Sequence, residues 1–568
     1  MRLGARKATL ASGIALAGFA ALLLAGCGTG GSSTLPASKQ ILRLQLSGQS
    51  DINTMDPAND TDLYSATPIQ LTFPGLIVLN QNLQPIPWAA TQLPTVSSDG
   101  ITWTFNVRPG LKWSDGTPIN ANTYAYSIDR AMNPCNAEAA SYYLLPIKDA
   151  GAFNSEKCVN GAPSGPITTL IGDSIKATDP LTLQITLAAP ATYFLDAFTY
   201  PTSFAVPEQL ISQYGEAKWT DHLQDNGGFG GDMFKITQWN HTGDLILKAN
   251  PNFWGKKPII QEVDIKFYKT AETAYNAFEA GQSDVGTAPE SLLAQAKKKA
   301  NFHQIGTQAI SYLAPNWDDA PFNSLQVRQA FDLALNKDTL ANVFNHGAVQ
   351  ATNHIVPSGM PGYNPNLKGP DGTTSTTGNP TMANQLATQY ATSTHCGTAT
   401  DFSKCPAVTL TIPSGSQDTA NWAAGIQQMW ETAFPKWPIS INAIDNRSLF
   451  AESQAGQLQI YAIGWIEDYP DPQDWLTTNV ACDSSYDFNH ACDQQATTLM
   501  HEADANPNQT QRLQQYQQAE QIMVTEVAWL STDQQTAWWE NSPRLHNFSI
   551  GPGGLTPRES WQSMYLTA

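Results

Sequence analysis

Tyr461-Ala-Ile-Gly-Trp465-Ile-Glu467-Asp468-Tyr469-Pro470-Asp471-Pro472-Gln473-Asp474-Trp475 begins as an apolar run and ends as an acidic turn broken by prolines. Tyr461 to Trp465 reads as a buried strand. Pro470 and Pro472 end it, because proline fixes φ and cannot donate to a ladder. Four acids, Glu467, Asp468, Asp471 and Asp474, then stand among three aromatics, Trp465, Tyr469 and Trp475. Carboxylates framed by aromatic rings at a strand end suit the capture of an ammonium group. A solvated acidic turn carries the same letters, so the neighbouring chain decides between the two.

Working outward, Val408 to Ile412 and Ile439 to Ile444 read as strands. Between them a helix opened by Asp418 or Thr419 places Trp422, Ile426, Met429 and Trp430 on one face, and Pro435 and Pro438 bracket its exit. Strand, helix, strand is an α/β unit, and the quoted stretch is the strand that follows it. Further back, Asn323 to Leu335 is an amphipathic helix burying Val327, Phe331, Ala334 and Leu335, with Arg328 and Asp332 spaced to pair one turn apart. Gly369 to Met382, rich in Gly, Thr and Ser, is expected to be a mobile excursion. The first half holds strictly alternating runs, Ile101 to Val107 and Leu181 to Leu187, which are half-buried strands. Gly227-Gly-Phe-Gly-Gly231 lacks the lysine and following helix of a phosphate cradle and is read as a backbone bend.

The chain has 568 residues. A single core stops growing at roughly 250–300 residues, so at least two domains are expected. The net charge of −19 with no basic cluster argues against a nucleic-acid partner and against electrostatic binding to anionic lipid. Arg2, Arg6 and Lys7 precede an apolar run from Ala8 to Leu24, the pattern of a secretory signal. Its end, Leu24-Ala-Gly-Cys27, resembles the bacterial lipobox, which implies a signal over residues 1–26 and a diacylglycerol thioether on Cys27. The Gly/Ser-rich residues 27–39 then read as a flexible tether. Six cysteines remain, and an even number outside the cytoplasm suggests disulfides. The simplest pairing is local: Cys135–Cys158, Cys396–Cys405 and Cys482–Cys492. A zinc site is the alternative, although no couple has the two-residue spacing of a zinc knuckle.

Catalytic motifs are absent from the sequence: there is no Gly-x-Ser-x-Gly elbow, no His-Glu-x-x-His and no phosphate loop. Glu467 and Asp468 are adjacent on one strand, so they point to opposite faces and make a poor glycosidase pair. Asp468, Asp471 and Asp474 lack the central glycine and closing glutamate of a calcium loop. No metal or cofactor is expected.

Several motifs occur in order: Leu83-Gln-Pro-Ile-Pro-Trp-Ala-Ala90, Trp103-Thr-Phe-Asn-Val-Arg-Pro-Gly-Leu-Lys-Trp-Ser-Asp-Gly-Thr-Pro118, Leu247-Lys-Ala-Asn-Pro-Asn-Phe-Trp-Gly255, Ala277-Phe-Glu-Ala-Gly-Gln-Ser-Asp284 and Pro321-Phe-Asn-Ser-Leu-Gln-Val-Arg-Gln-Ala330. With the quoted stretch they resemble the family-five extracellular solute-binding proteins, the peptide-binding components of ABC importers. The resemblance runs from about Leu42 to the C-terminus. It implies a two-lobed α/β fold of the periplasmic-binding-protein type (type II, the large cluster with an extra subdomain) that closes on ligand about two hinge strands. Mapped onto this sequence, lobe I would be residues 40–75, 205–290 and 535–568, the inserted subdomain 76–204 and lobe II 291–534.

The resemblance also implies a role for Asp468, whose position matches the aspartate that pairs with a peptide's N-terminal ammonium. Trp465 and Tyr469 would be pocket walls, and Glu467, Asp471 and Asp474 would revert to turn and surface. Some relatives carry an arginine a few residues upstream. Leu458-Gln-Ile-Tyr-Ala-Ile463 has none, which leaves C-terminal recognition open. The implied setting is a monomer, lipid-anchored outside the cytoplasm, delivering peptides to an ABC permease with its ATPase subunits. An oligosaccharide or other solute on the same fold is the alternative, since the aromatic frame also suits sugar stacking. An extracellular hydrolase is the third reading, and no nucleophile supports it.

Overall fold

A computed structural model describes residues 34–568, except Gln49, Ala137, Ala139, Thr242 and Ser485 and the side chain of Arg447. The apolar leader, Cys27 and the start of the tether lie outside the described residues. Among the described residues, no helix is long and apolar enough to cross a membrane.

Three sheets organise the chain. In the first, Ile41–Ser47 runs parallel to Glu262–Tyr268, and Asp244–Ala249 and Phe234–Trp239 continue it antiparallel. The second, Thr95–Val96, Thr102–Asn106, Thr182–Thr186 and Ile175–Asp179, is built from the early alternating runs. Trp103, Phe105, Leu183 and Ile185 form its buried face, as period-two alternation dictates. The third and largest has the order Val285–Gly286, Leu530–Asn541, Phe302–Pro315, Ile460–Ile466, Val408–Pro413, Ile439–Ile444, with Val349–Ala351 added on Leu530–Asn541. Val408–Pro413 and Ile439–Ile444 are parallel and joined by the helix Gln417–Ala433. Ser416, just ahead of the expected caps, accepts from the Thr419 amide and starts that helix.

The largest buried cluster draws on residues 42–285 and 539–566, and two others draw on residues 310–530. Two long antiparallel strands, Phe302–Pro315 and Leu530–Asn541, run from one core to the other. Trp539 belongs to the first cluster, whereas Leu313 and Leu530 belong to the second. The structure joins Cys135 to Cys158, Cys396 to Cys405 and Cys482 to Cys492.

Several expectations need correction. Residues 34–39, read as part of a flexible tether, are docked: Thr34 bridges Thr567, the Leu35 amide donates to Leu566, and Ala37–Lys39 form a helical turn. The C-terminal strand supplies these partners from the far end of the sequence. Arg328 and Asp332 do not pair. The Arg328 guanidinium lies 3.6 Å from the Trp317 ring and donates to the Glu526 and Phe322 carbonyls, while Asp332 meets Lys337 at 2.9 Å. The segment from Gly369 is held down by bonds from Lys337 to Thr376, Asn353 to Ser375 and Asn379 to Leu333, and its end is the start of the helix Pro380–Ser393. The glycine loop is a bend as expected. Gly228 has φ +95°, and a Cβ there would stand 2.2 Å from the Ile236 carbonyl oxygen.

Candidate ligand-binding site

The strand Ile460–Ile466 delivers the acidic stretch to the edge of a cavity. Tyr461 anchors the strand at 2% exposure, and Ile466 at its end is 60% exposed. Glu467 still donates its amide to Gln308, and then the chain turns into a short helix, Pro472–Trp475. Asp471 makes that turn. Its carboxylate caps the helix through the Gln473 amide at 2.9 Å and takes both terminal nitrogens of Arg512 at 2.6 Å. The turn brings Asp474 back over the strand end, where its Oδ2 accepts from the Asp468 amide at 2.9 Å and from the Trp465 indole at 3.3 Å.

The cavity encloses about 600 Å³. The acidic stretch and the residues after it contribute Asp468, Tyr469, Gln473, Asp474, Thr477 and Thr478. Residues far upstream contribute Tyr142, Tyr143, Leu145, Pro146, Tyr193 and Ala197, and Asp483, Ser484, Tyr486 and His501 complete the lining. The Tyr142 and Tyr143 hydroxyls donate to Asp468 Oδ1 at 3.2 and 3.1 Å. Their rings stack on each other at 4.3 Å, and Tyr143 stacks on Tyr200 at 3.7 Å. Tyr193 lies parallel to Tyr469 at 6.1 Å. Beyond the tyrosines, Thr192 donates from its amide and hydroxyl to the Asp504 carbonyl at 3.0 and 2.9 Å, joining the same two regions.

Burial dominates the electrostatics. It pushes the Asp468 carboxyl up to about 6, against the two tyrosine hydroxyls that hold it down. Glu467 is pushed up to about 8 by burial and by the charges of Asp468 and Asp196. Asp474 is fully buried and raised well above the carboxylate range, first by desolvation and then by the Asp468 charge. The one basic group of the lining, His501, meets Asp483 at 3.1 Å and is pushed up to about 9, chiefly by its bond to Asp504. The wall around Asp468 is therefore rich in carboxyls that burial keeps protonated more readily than free ones, with Asp468 the least raised of the three.

Of the residues singled out from sequence, Asp468 and Tyr469 line the cavity and Trp465 does not. Trp465 instead bonds Asp474 and meets Tyr486 edge-on at 5.7 Å, so it braces two lining residues. Trp475 is in the core at 0% exposure. The expectation that Asp471 and Asp474 are surface acids is overturned: they are 2% and 0% exposed. Arg512 supplies the charge that lets Asp471 be buried, and neighbouring amide and indole donors hold Asp474. Sequence reasoning missed Tyr142, Tyr143 and Tyr193, which reach Asp468 and Tyr469 from hundreds of residues upstream. The Tyr142-Tyr143 doublet is the only trace of them in the letters.

Two other features are less suited to a charged ligand. A cavity of about 620 Å³ between the helices Pro380–Ser393 and Gln417–Ala433 is lined only by uncharged residues. Asp56, Glu138 and Glu216 bring carboxylate oxygens within 4.8 Å of one another. They surround Arg130, which bonds Asp56 at 2.5 Å, Glu138 at 3.0 Å and Glu216 at 2.6 Å. That guanidinium occupies the place a metal ion would need.

Comparison with known proteins gives a consistent picture. The model of bacterial extracellular solute-binding proteins, family 5 middle, matches residues 84–487. The oligopeptide-binding protein OppA of Bacillus subtilis is 24% identical over 527 residues, 89% of this chain and 90% of the relative. Among solved structures, the periplasmic murein tripeptide-binding protein MppA in an unliganded open form superposes with a TM-score of 0.79 at 20% identity, covering 94% of this chain and 99% of that one. Peptide-bound OppA of Listeria monocytogenes gives 0.67 at 21% identity over 93% and 99%.

Proposed function

The chain belongs to family 5 of the bacterial extracellular solute-binding proteins, and we propose that it captures oligopeptides outside the cytoplasm and delivers them to the permease of an ABC importer. The observation that carries this reading is Asp468: a carboxylate in a tyrosine-walled cavity whose partners are two neutral hydroxyls. The peptide's N-terminal ammonium is its natural counter-charge. Charge-assisted bonds of this kind are about twice as strong as neutral ones. A ligand without the amine leaves the aspartate desolvated and unmatched, so the anchor discriminates. Main-chain bonding of an extended peptide would make side-chain sequence secondary.

Lobe I is taken as residues 40–75, 205–290 and 535–568, the inserted subdomain as 76–204 and lobe II as 291–534. On this division Leu530–Asn541 crosses from lobe II to lobe I, and Phe302–Pro315, paired along it, is taken as the second hinge strand. Asp468 then lies on lobe II and Tyr142 and Tyr143 on the insertion, so ligand between them favours the closed arrangement by its differential affinity for it. Cys27 would carry the lipid anchor, and the protein would work as a monomer without catalysis. Relatives named for oligopeptides and for a murein tripeptide support the cargo class.

A thermal-shift screen of free-amine peptides against glycans tests the reading. Stabilisation by peptides is expected. Stabilisation by glycans with none by peptides would transfer the site to a sugar, and turnover of a bound peptide would restore the hydrolase.

A further inference from the structure

Asp474 lines the cavity beside Asp468 although it is 0% exposed. Its Oδ2 holds the Asp468 amide at 2.9 Å, and its Oδ1 has no hydrogen-bond partner. Glu467, on the other side of Asp468 in sequence, has an unpartnered buried Oε2. A buried carboxylate oxygen without a partner is costly unless the group is protonated or a cation stands nearby. The nearby cations are already committed. Arg512 spends both terminal nitrogens on Asp471, and His501 bonds Asp483. Asp196 adds a further carboxyl near Glu467 and Asp471, itself raised well above the carboxylate range by burial and then by the Asp471 charge. One ligand ammonium on Asp468 therefore leaves the Asp474 Oδ1 and Glu467 Oε2 still without a partner.

We propose that the site selects ligands carrying a second positive charge next to the terminal amine, peptides whose first residue is Lys or Arg, and that Asp474 sets this preference. The inference rests on the peptide reading above. Asp474 acts through its unpartnered Oδ1, across a wall it shares with Asp468, while its Oδ2 keeps the bonds to the Asp468 amide and the Trp465 indole. The Tyr142 ring, stacked on Tyr143 by one face, gives a cationic side chain in the cavity an aromatic surface to lie against. The raised carboxyls agree with this: groups that hold protons when alone are ready to exchange them for a cation.

Calorimetric titration at about pH 8 with two free-amine tripeptides, Lys-Ala-Ala and its norleucine isostere, gives the test. Norleucine keeps the alkyl chain and drops the charge. In the unmodified protein the lysine peptide should bind about tenfold tighter, the scale of one partly screened charge contact. In Asp474→Asn, which keeps an oxygen for the Asp468 amide, the ratio of the two affinities should fall toward one, whatever change the two peptides share. Equal binding of the two peptides by the unmodified protein overturns the inference without needing the variant. A ratio that survives in Asp474→Asn overturns the role of Asp474. If neither peptide binds, the peptide reading itself fails and takes this inference with it.

Discussion

Two clusters of three carboxylates sit in this protein, and they are resolved in opposite ways. Asp56, Glu138 and Glu216 close around Arg130, which also lies over the Trp219 ring at 5.8 Å. Among the described residues, Glu467, Asp468 and Asp474 close around no cation, and two of the three keep an unpartnered buried oxygen. The first cluster carries its counter-charge within the chain and is part of the scaffold. On the proposed reading, the second takes its counter-charge from the ligand. Acid content alone does not separate the two; the presence of a built-in guanidinium does.

The largest expected effect lies in the scaffold cluster. Arg130→Met strands three carboxylates, two of them buried, and should cost about 3–5 kcal/mol in chemical denaturation, the usual penalty for removing one side of a buried ion pair. Asp468→Asn is the matched change in the other cluster. It removes a charge that has no internal partner, so stability should change by less than about 1 kcal/mol, while peptide affinity should fall by about 2–5 kcal/mol. Equal stability losses in the two variants would erase the distinction between the clusters.

The pH response follows from the same contrast. Asp468 and Glu467 hold protons up to about 6 and 8, above their unfolded values, so the folded state binds more protons than the unfolded chain across that window. Stability of the protein alone should therefore decline as pH rises from the ordinary carboxylate range through these values. Affinity for an amine should move the other way. Protonation of Asp468 below 6 competes with the ligand, so affinity should drop about tenfold between pH 7 and about pH 5. The groups facing Asp468 are Tyr142 and Tyr143 from far upstream and Asp474 and Glu467 from its own stretch. A flat affinity profile would mean that the anchor is not Asp468.

The smallest effect concerns the tyrosines. Tyr143→Phe removes one hydroxyl that keeps the Asp468 carboxyl down, and should weaken binding near neutrality by about 0.5–1.5 kcal/mol, with Tyr142→Phe behaving alike. No change in either variant would reduce the pair to simple packing.

Much of the fold is legible in the letters, and the site is legible only on one side. Ile460–Ile466, Val408–Pro413 and Thr102–Asn106 announce themselves by short-range pattern, which alternation and proline punctuation record locally. Asp468 stands out because it ends such a strand. Asp471 and Asp474 mislead because an acidic, proline-rich turn looks solvated. What buries Asp471 is Arg512, 41 positions later, in a helix whose sequence gives no hint of it. The Arg328–Asp332 pair fails for the same reason: helix spacing permits it, but Trp317 and Lys337 compete for each partner and win. Tyr142 and Tyr143 meet Asp468 across more than three hundred positions, and local pattern carries no such information.

The most direct measurement is a calorimetric comparison of one peptide with a free N-terminus and the same peptide acetylated there. Acetylation removes the ammonium and leaves every side chain and nearly all of the main chain in place. The free peptide should bind, and the acetylated one should lose at least about a hundredfold in affinity, because Asp468 is then buried without a counter-charge. Equal affinity for the two would show that Asp468 does not bind an amine, and would contradict the assignment of this cavity as the peptide's N-terminal site.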